Sequence, residues 1–144
     1  MRILATTMAF LAAAVPALAQ EIERVPPVAD EAAKQECGAC HMAYQPQLLP
    51  AEAWQQVFAG LADHFGTDAS LDEAVQRQIL GYYVAHAGRS AGGSPPSLRI
   101  TEARWWAREH RELRAAEWAK PEVKFKGNCT ACHRQAEQGI YEDD

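Results

Sequence analysis

Cys37-Gly38-Ala39-Cys40-His41 is the stretch on which this chain turns, and Cys129-Thr130-Ala131-Cys132-His133 repeats its form near the other end. C-x-x-C-H is the signature of covalent haem attachment. Cysteines three residues apart lie on one side of a helical turn, so both sulfurs can reach the two vinyl groups of one porphyrin. The histidine that follows can then turn its imidazole onto the iron. The two motifs use all four cysteines of the chain. They predict two covalently bound haem c groups, attached through Cys37 and Cys40 and through Cys129 and Cys132. His41 and His133 are the expected proximal iron ligands.

Three other uses of paired cysteines fit less well. The pairs are separated by 88 residues, far beyond the spacing of a zinc ribbon. A thioredoxin-like dithiol needs a βαβ setting, and no β alternation is present. Disulfides, the default in an exported protein, leave the histidine after each pair unexplained.

Export is read from the start of the chain. Met1-Arg2 precedes an apolar run from Ile3 to Val15, and Ala17-Leu18-Ala19 has the small-x-small form of a cleavage site. The run is shorter than the ~18 apolar residues of a spanning helix, so a cleaved leader is preferred over a membrane anchor. The expected division is residues 1–19 as signal peptide and 20–144 as a mature, soluble periplasmic domain. Arg2 is the one charged residue in the leader, so cleavage takes the net charge from −5 to −6. That balance argues against nucleic acid and against an anionic membrane surface. Partners with basic docking patches suit it better.

The remaining periodicity is helical. It predicts helices over 31–42, 50–65, 71–87 (opened by a Ser70/Glu73 capping box), 102–119 (capped by Thr101) and a short last helix capped by Asn128 and ended by Gly139. Residues 88–97 (GRSAGGSPPS) read as a linker between lobes 20–90 and 98–144, and Tyr141 to Asp144 as a frayed acidic tail. The fold class is therefore mainly α: a small dihaem cytochrome c, short helices and loops packed around two haems that supply much of the core.

The far face of each iron needs a second ligand. Methionine is the frequent choice in c-type cytochromes, but Met1 and Met8 belong to the leader and Met42 adjoins His41. Three histidines remain: His64, His86 and His110, each on an apolar stripe. Periodicity does not choose among them. Spacing favours the outer two, because His64 lies 23 residues after His41 and His110 lies 23 before His133. His86, close to the Gly/Ser/Pro stretch, is the reserve candidate. Trp54, Trp105, Trp106 and Trp118 read as packing around the haems, and Tyr82 and Tyr83 as core.

Beyond the attachment motifs, the chain resembles the dihaem cytochrome c family, the soluble partner of the sphaeroides haem protein. The resemblance rests on Glu36 to His41, Tyr44, Leu48-Leu49-Pro50, Trp54, the run from His64 to Asp72 (HFGTDASLD), Trp105-Trp106, Glu109-His110-Arg111-Glu112 and Asn128 to His133. It implies low-potential bis-histidine haems, with His64 and His110 as distal ligands in place of His86. It also implies electron transfer with a small oxygen-binding cytochrome or a membrane b-type cytochrome. The rival from another class is a small haem enzyme or gas binder with one five-coordinate iron. A further relative in chemistry, differing in partner, is the dihaem subunit of periplasmic nitrate reductase.

Overall fold

The computed structural model describes residues 24–90 and 95–142. The expected leader and part of the Gly/Ser/Pro stretch lie outside them. Among the described residues the regular elements are helices and 3₁₀ turns, joined by two isolated backbone bridges. The fold is mainly α, and its helices are shorter than the sequence predicts.

Helix α1 (Glu31–Cys37) starts where the Asp30 carboxylate accepts the Ala33 amide at 2.8 Å, which satisfies one orphan donor of a helix start. The bond favours the ionised carboxylate and holds the Asp30 pKa below its ordinary value. The helix stops at Cys37, not Met42. A Cβ on Gly38 would stand 2.1 Å from the Lys34 carbonyl oxygen, so only glycine fits this exit.

Helix α2 (Ala51–Ala59) follows Pro50 and ends at Gly60, well short of Phe65; a 3₁₀ turn, Leu61–Asp63, leads on to His64. Helix α3 (Glu73–His86) has Asp72 at its start with no side-chain cap, and the expected Ser70 box does not form. The Ser70 amide instead donates to Asp68 Oδ1 at 2.9 Å, an Asx-type turn that competes with helix. Trp54, Val57 and Phe58 of α2 are buried with Ile79 and Tyr83 of α3. Trp54 meets Tyr83 edge-on at 4.6 Å, and its indole N–H donates to the Pro46 carbonyl at 2.8 Å. Trp54 thus belongs to the core between α2 and α3.

The expected helix over 102–119 is broken into a 3₁₀ turn (Ile100–Glu102), α4 (Arg104–Glu109) and α5 (Ala115–Trp118). In one continuous helix Trp106 and Trp118 would lie about 18 Å apart along the axis. The break folds them to 5.4 Å between ring centres. Aromatic stacking overrides the good helix propensity of Arg, Glu and Leu between them.

The last helix is replaced by two 3₁₀ turns, Cys129–Ala131 and Ala136–Gln138, the second followed by Gly139 at φ +76°. Asn128 does not cap; its side chain donates to the Glu122 carbonyl at 3.0 Å. Of the expected frayed tail, residues 143–144 lie outside the described residues, and the two that are described are held in place. Tyr141 is half-buried with its hydroxyl on Gln45, and Glu142 accepts two bonds from Arg24 at 2.6 and 2.9 Å. Across the Gly/Ser/Pro stretch, Ile100, Ala103 and Trp106 share one buried cluster with Leu48, Trp54 and Tyr83. No helix of the described residues is long and apolar enough to cross a membrane.

Candidate haem-binding sites

The turn after α1 carries the first attachment motif. Cys37 is half-buried, Cys40 is exposed, and His41 stacks on Tyr44 with ring centres 4.6 Å apart. His41 Nδ1 meets the Met42 carbonyl at 2.7 Å. An acceptor there places the proton on Nδ1 and leaves the Nε2 lone pair for a metal, the usual arrangement of a ligating histidine.

His64 faces His41 across 6.3 Å between ring centres, the planes inclined by 28°. The loop that carries it explains the H-F-G-T wording. Phe65 (φ +56°) and Gly66 (φ +98°) are the two central residues of a turn whose ends, His64 and Thr67, exchange backbone bonds at 2.7 and 3.3 Å. Positive φ at both centres defines a type I′ turn, which glycine enters at no cost. The Gly66 amide also donates to Asp63 Oδ1 at 2.9 Å. His64 therefore sits on a rigid two-residue reversal. Partial burial lowers its pKa, helped by His41 and Arg99, and so favours the neutral imidazole that binds metals.

The second site is a cleft of about 430 Å³, within the size range of small-molecule and cofactor pockets. Cys129, Cys132, His133 and His110 all line it, together with Trp105, Trp106 and Trp118 among others. His110 lies flat on Trp106 at 4.2 Å, its Nδ1 against the Trp106 carbonyl at 2.9 Å. His133 stands 6.1 Å from His110, the planes at 87°. The Cys132 and His133 amides bond to the Cys129 carbonyl at 3.1 and 2.8 Å, which wraps this motif into one helical turn.

Two imidazoles bound on opposite sides of one metal, each at about 2.0–2.1 Å, have ring centres roughly 6 Å apart. Both observed pairs have that separation. Each offers two nitrogen donors, leaving four positions that a porphyrin fills. Among the described residues no three His, Cys, Asp or Glu side chains converge on a common point, so the zinc alternative finds no donor set. No cysteine is bonded to another. As free thiols before attachment, Cys37 has its pKa raised by burial and Cys129 has it pushed up to about 11 by the same cause. The residues fit a covalently held haem at each end.

His86 stands apart. It is exposed at the end of α3, its ring 4.6 Å from Tyr82 and its Nδ1 on the Tyr82 carbonyl at 2.8 Å. Three other residues went unnoticed in the sequence as site builders. Tyr44 stacks on His41 and donates to the Gly127 carbonyl at 2.9 Å, two residues before Cys129. Gln45 is wholly buried, donating to the Ala136 carbonyl at 2.7 Å and accepting from Tyr141, whose ring lies 5.6 Å from His133. These three tie the two sites together. Tyr44 carried a signal within the family resemblance; Gln45 carried none.

The model of the dihaem cytochrome c family matches residues 33–141. The chain belongs to the dihaem cytochrome c family. The diheme cytochrome c from Rhodobacter sphaeroides is 40% identical, with 81% of this chain and 99% of that one covered at a TM-score of 0.73. A second structure, of DHC purified from Rhodobacter sphaeroides, is 44% identical over 79% of this chain and 98% of that one, with a TM-score of 0.70. The diheme cytochrome from Shewanella baltica OS155 is 38% identical over 78% and 86%, also with a TM-score of 0.70. A search among curated proteins gives no significant match. As a dihaem cytochrome c the chain carries two covalently bound c-type haems, and its chemistry is haem-based electron transfer.

Proposed function

We propose that this dihaem cytochrome c is a periplasmic single-electron carrier and not an enzyme, with both irons closed by two histidines: His41 with His64, and His110 with His133. The observation that carries this reading is the pair of ring separations, 6.3 and 6.1 Å. When bound, each haem supplies a ferric/ferrous couple. The protein's own part is to hold the ligands still. The I′ turn fixes His64, the Trp106 face fixes His110, and the Met42 and Trp106 carbonyls orient the rings of His41 and His110. Ligands that do not move on reduction leave little to reorganise, and a closed sixth position leaves no room for oxygen, peroxide or a sulfur compound.

The partners we propose are redox proteins: a small oxygen-binding c-type cytochrome on one side and a membrane b-type cytochrome on the other. The test is electron paramagnetic resonance of the oxidised holoprotein. Two low-spin signals are expected, and they should differ. Nearly parallel ligand planes split the iron d orbitals that receive imidazole π density, giving a rhombic signal. Crossed planes leave them close in energy, giving one broad feature at large g. His64→Ala and His110→Ala should each convert one haem to high spin, and His86→Ala neither. A rapid spectral shift when carbon monoxide meets the reduced protein would establish an open iron and sink the reading.

A further inference from the structure

Three large apolar side chains are exposed among the described residues: Phe65, Leu113 and Phe125. Phe65 carries the Arg99 guanidinium over its ring at 4.0 Å. Leu113 lines the second cleft. Phe125 lies outside that lining, 48% exposed, between the exposed Lys124 and Lys126, the latter at the cleft's edge with its ammonium 5.6 Å from the Trp118 ring centre. Its backbone is held in an uncommon shape. Lys124 has φ +61°, and the Phe125 amide donates across it to the Val123 carbonyl at 2.6 Å, making a three-residue γ-turn of the rare, strained hand. Asn128 locks the loop from behind, its amide on the Phe125 carbonyl and its side chain on the Glu122 carbonyl, both at 3.0 Å. Strain of this kind persists only where surroundings enforce it, and it concentrates at functional positions.

Charge marks the same place. From Lys120 to Arg134, the stretch that holds the second attachment motif, four basic residues stand against Glu122 alone. Around the first motif the sign is reversed, with Asp30, Glu31 and Glu36 against Lys34. The acidic residues on the second cleft, Glu109, Glu112 and Glu142, are each in an ion pair with an arginine.

We propose that the Lys124-Phe125-Lys126 tip is the docking surface through which the second haem exchanges electrons with a redox protein whose contact face is apolar and ringed by acidic side chains. The proposal rests on the electron-carrier reading above. Phe125 supplies the dry centre of a small transient contact, and the lysines supply a rim that steers encounter and register. A chain of net negative charge thereby offers an acidic partner a basic, apolar-centred face beside Cys129. With haem held by Cys129, Cys132 and His133, the site would give up one electron, ferrous going to ferric, as the partner's oxidised centre gains that one electron.

The test is stopped-flow oxidation of the reduced holoprotein by a plant plastocyanin, an acidic-faced copper protein used as the probe, with basic mitochondrial cytochrome c as control. The plastocyanin rate should fall as salt rises. Lys124→Asp combined with Phe125→Ser should lower it about tenfold at low ionic strength while the control changes less than about twofold. Aspartate is among the non-glycine residues found most often at positive φ, and the Asn128 bonds that hold the loop are left in place. Should the double variant lose haem, Lys124→Asp alone is expected to lower the rate about threefold. Both low-spin signals must persist in whichever variant is measured. An unchanged plastocyanin rate and salt slope in such a variant overturns the docking proposal alone, whereas carbon monoxide binding by the parent protein overturns the electron-carrier reading beneath it.

Discussion

The two haem ends of this molecule are built on different principles. At the first, His41 and His64 stand on turns that leave α1 and α2, and those helices pack with α3 around Tyr83, Ile79 and Trp54. At the second, the ligands stand on short helices and 3₁₀ turns around an open cleft, and α5 buries no residue at all. The first site stands directly on the protein core; the second meets that core through the buried Ile100, Ala103 and Trp106 and leaves its cleft for the haem to fill. Polypeptide packing and prosthetic group are thus interchangeable sources of apolar burial within one short chain.

The strongest way to break this contrast is Trp106→Ala. Trp106 is buried, supports the His110 ring and touches Trp118, so its loss should cost about 3–5 kcal/mol. It should abolish the second low-spin signal while the first remains, read by thermal unfolding and paramagnetic resonance together. Loss of the first signal instead would mean that the ends are not separately supported.

Gln45→Leu probes what joins them. The substitution leaves the Tyr141 hydroxyl and the Ala136 carbonyl without their buried amide partner, at about 1–3 kcal/mol. Hydrogen exchange should quicken in residues 129–141 and stay slow in α2 and α3.

Asp30→Ala bears on the first end, at about 1 kcal/mol for a lost cap. The Asp30 carboxyl has a folded pKa below its unfolded value, so its contribution is complete above the unfolded carboxylate pKa. It fades as pH falls through the lowered folded value. Acid titration of the wild type and the variant, followed at the first haem, should converge at low pH. Smallest is Phe65→Gly, a few tenths of a kcal/mol: relief of positive φ offsets loss of the Arg99 contact.

Much of the architecture is legible in the residues because covalent and metal chemistry is local. C-x-x-C-H marks its own cofactor, whereas the reversal at residues 64–67 is missed, because the apolar pattern of 50–65 carries a helix reading into it. Equal spacing leans towards His64 and His110, and the family resemblance implies them; their ring centres lie 6.3 Å from that of His41 and 6.1 Å from that of His133, while His86 is exposed at the end of α3. The failures have a common cause. Residues 110–114 continue a helical pattern in sequence, yet stacking among His110, Trp106 and Trp118 ends the helix. Ser70 and Asn128 look like caps, but Asp68 and the Glu122 carbonyl compete for those groups. Gln45 reads as loop surface because its partners lie more than 90 positions away, at Ala136 and Tyr141. Distant contacts leave no local trace.

The facing histidines also bear on the order of assembly. His41 and His64 bracket one short span, and His110 and His133 bracket another of equal length that neither overlaps nor encloses it. On the ligation proposed above, ring-closure entropy rises only with the logarithm of span, so the two closures would cost the same small amount and neither would wait on the other. A chain emerging N-terminus first can finish one centre while the second is still unmade. Tyr44 and Gln45 then fasten the two spans, beside the core that Ile100, Ala103 and Trp106 share with Leu48, Trp54 and Tyr83.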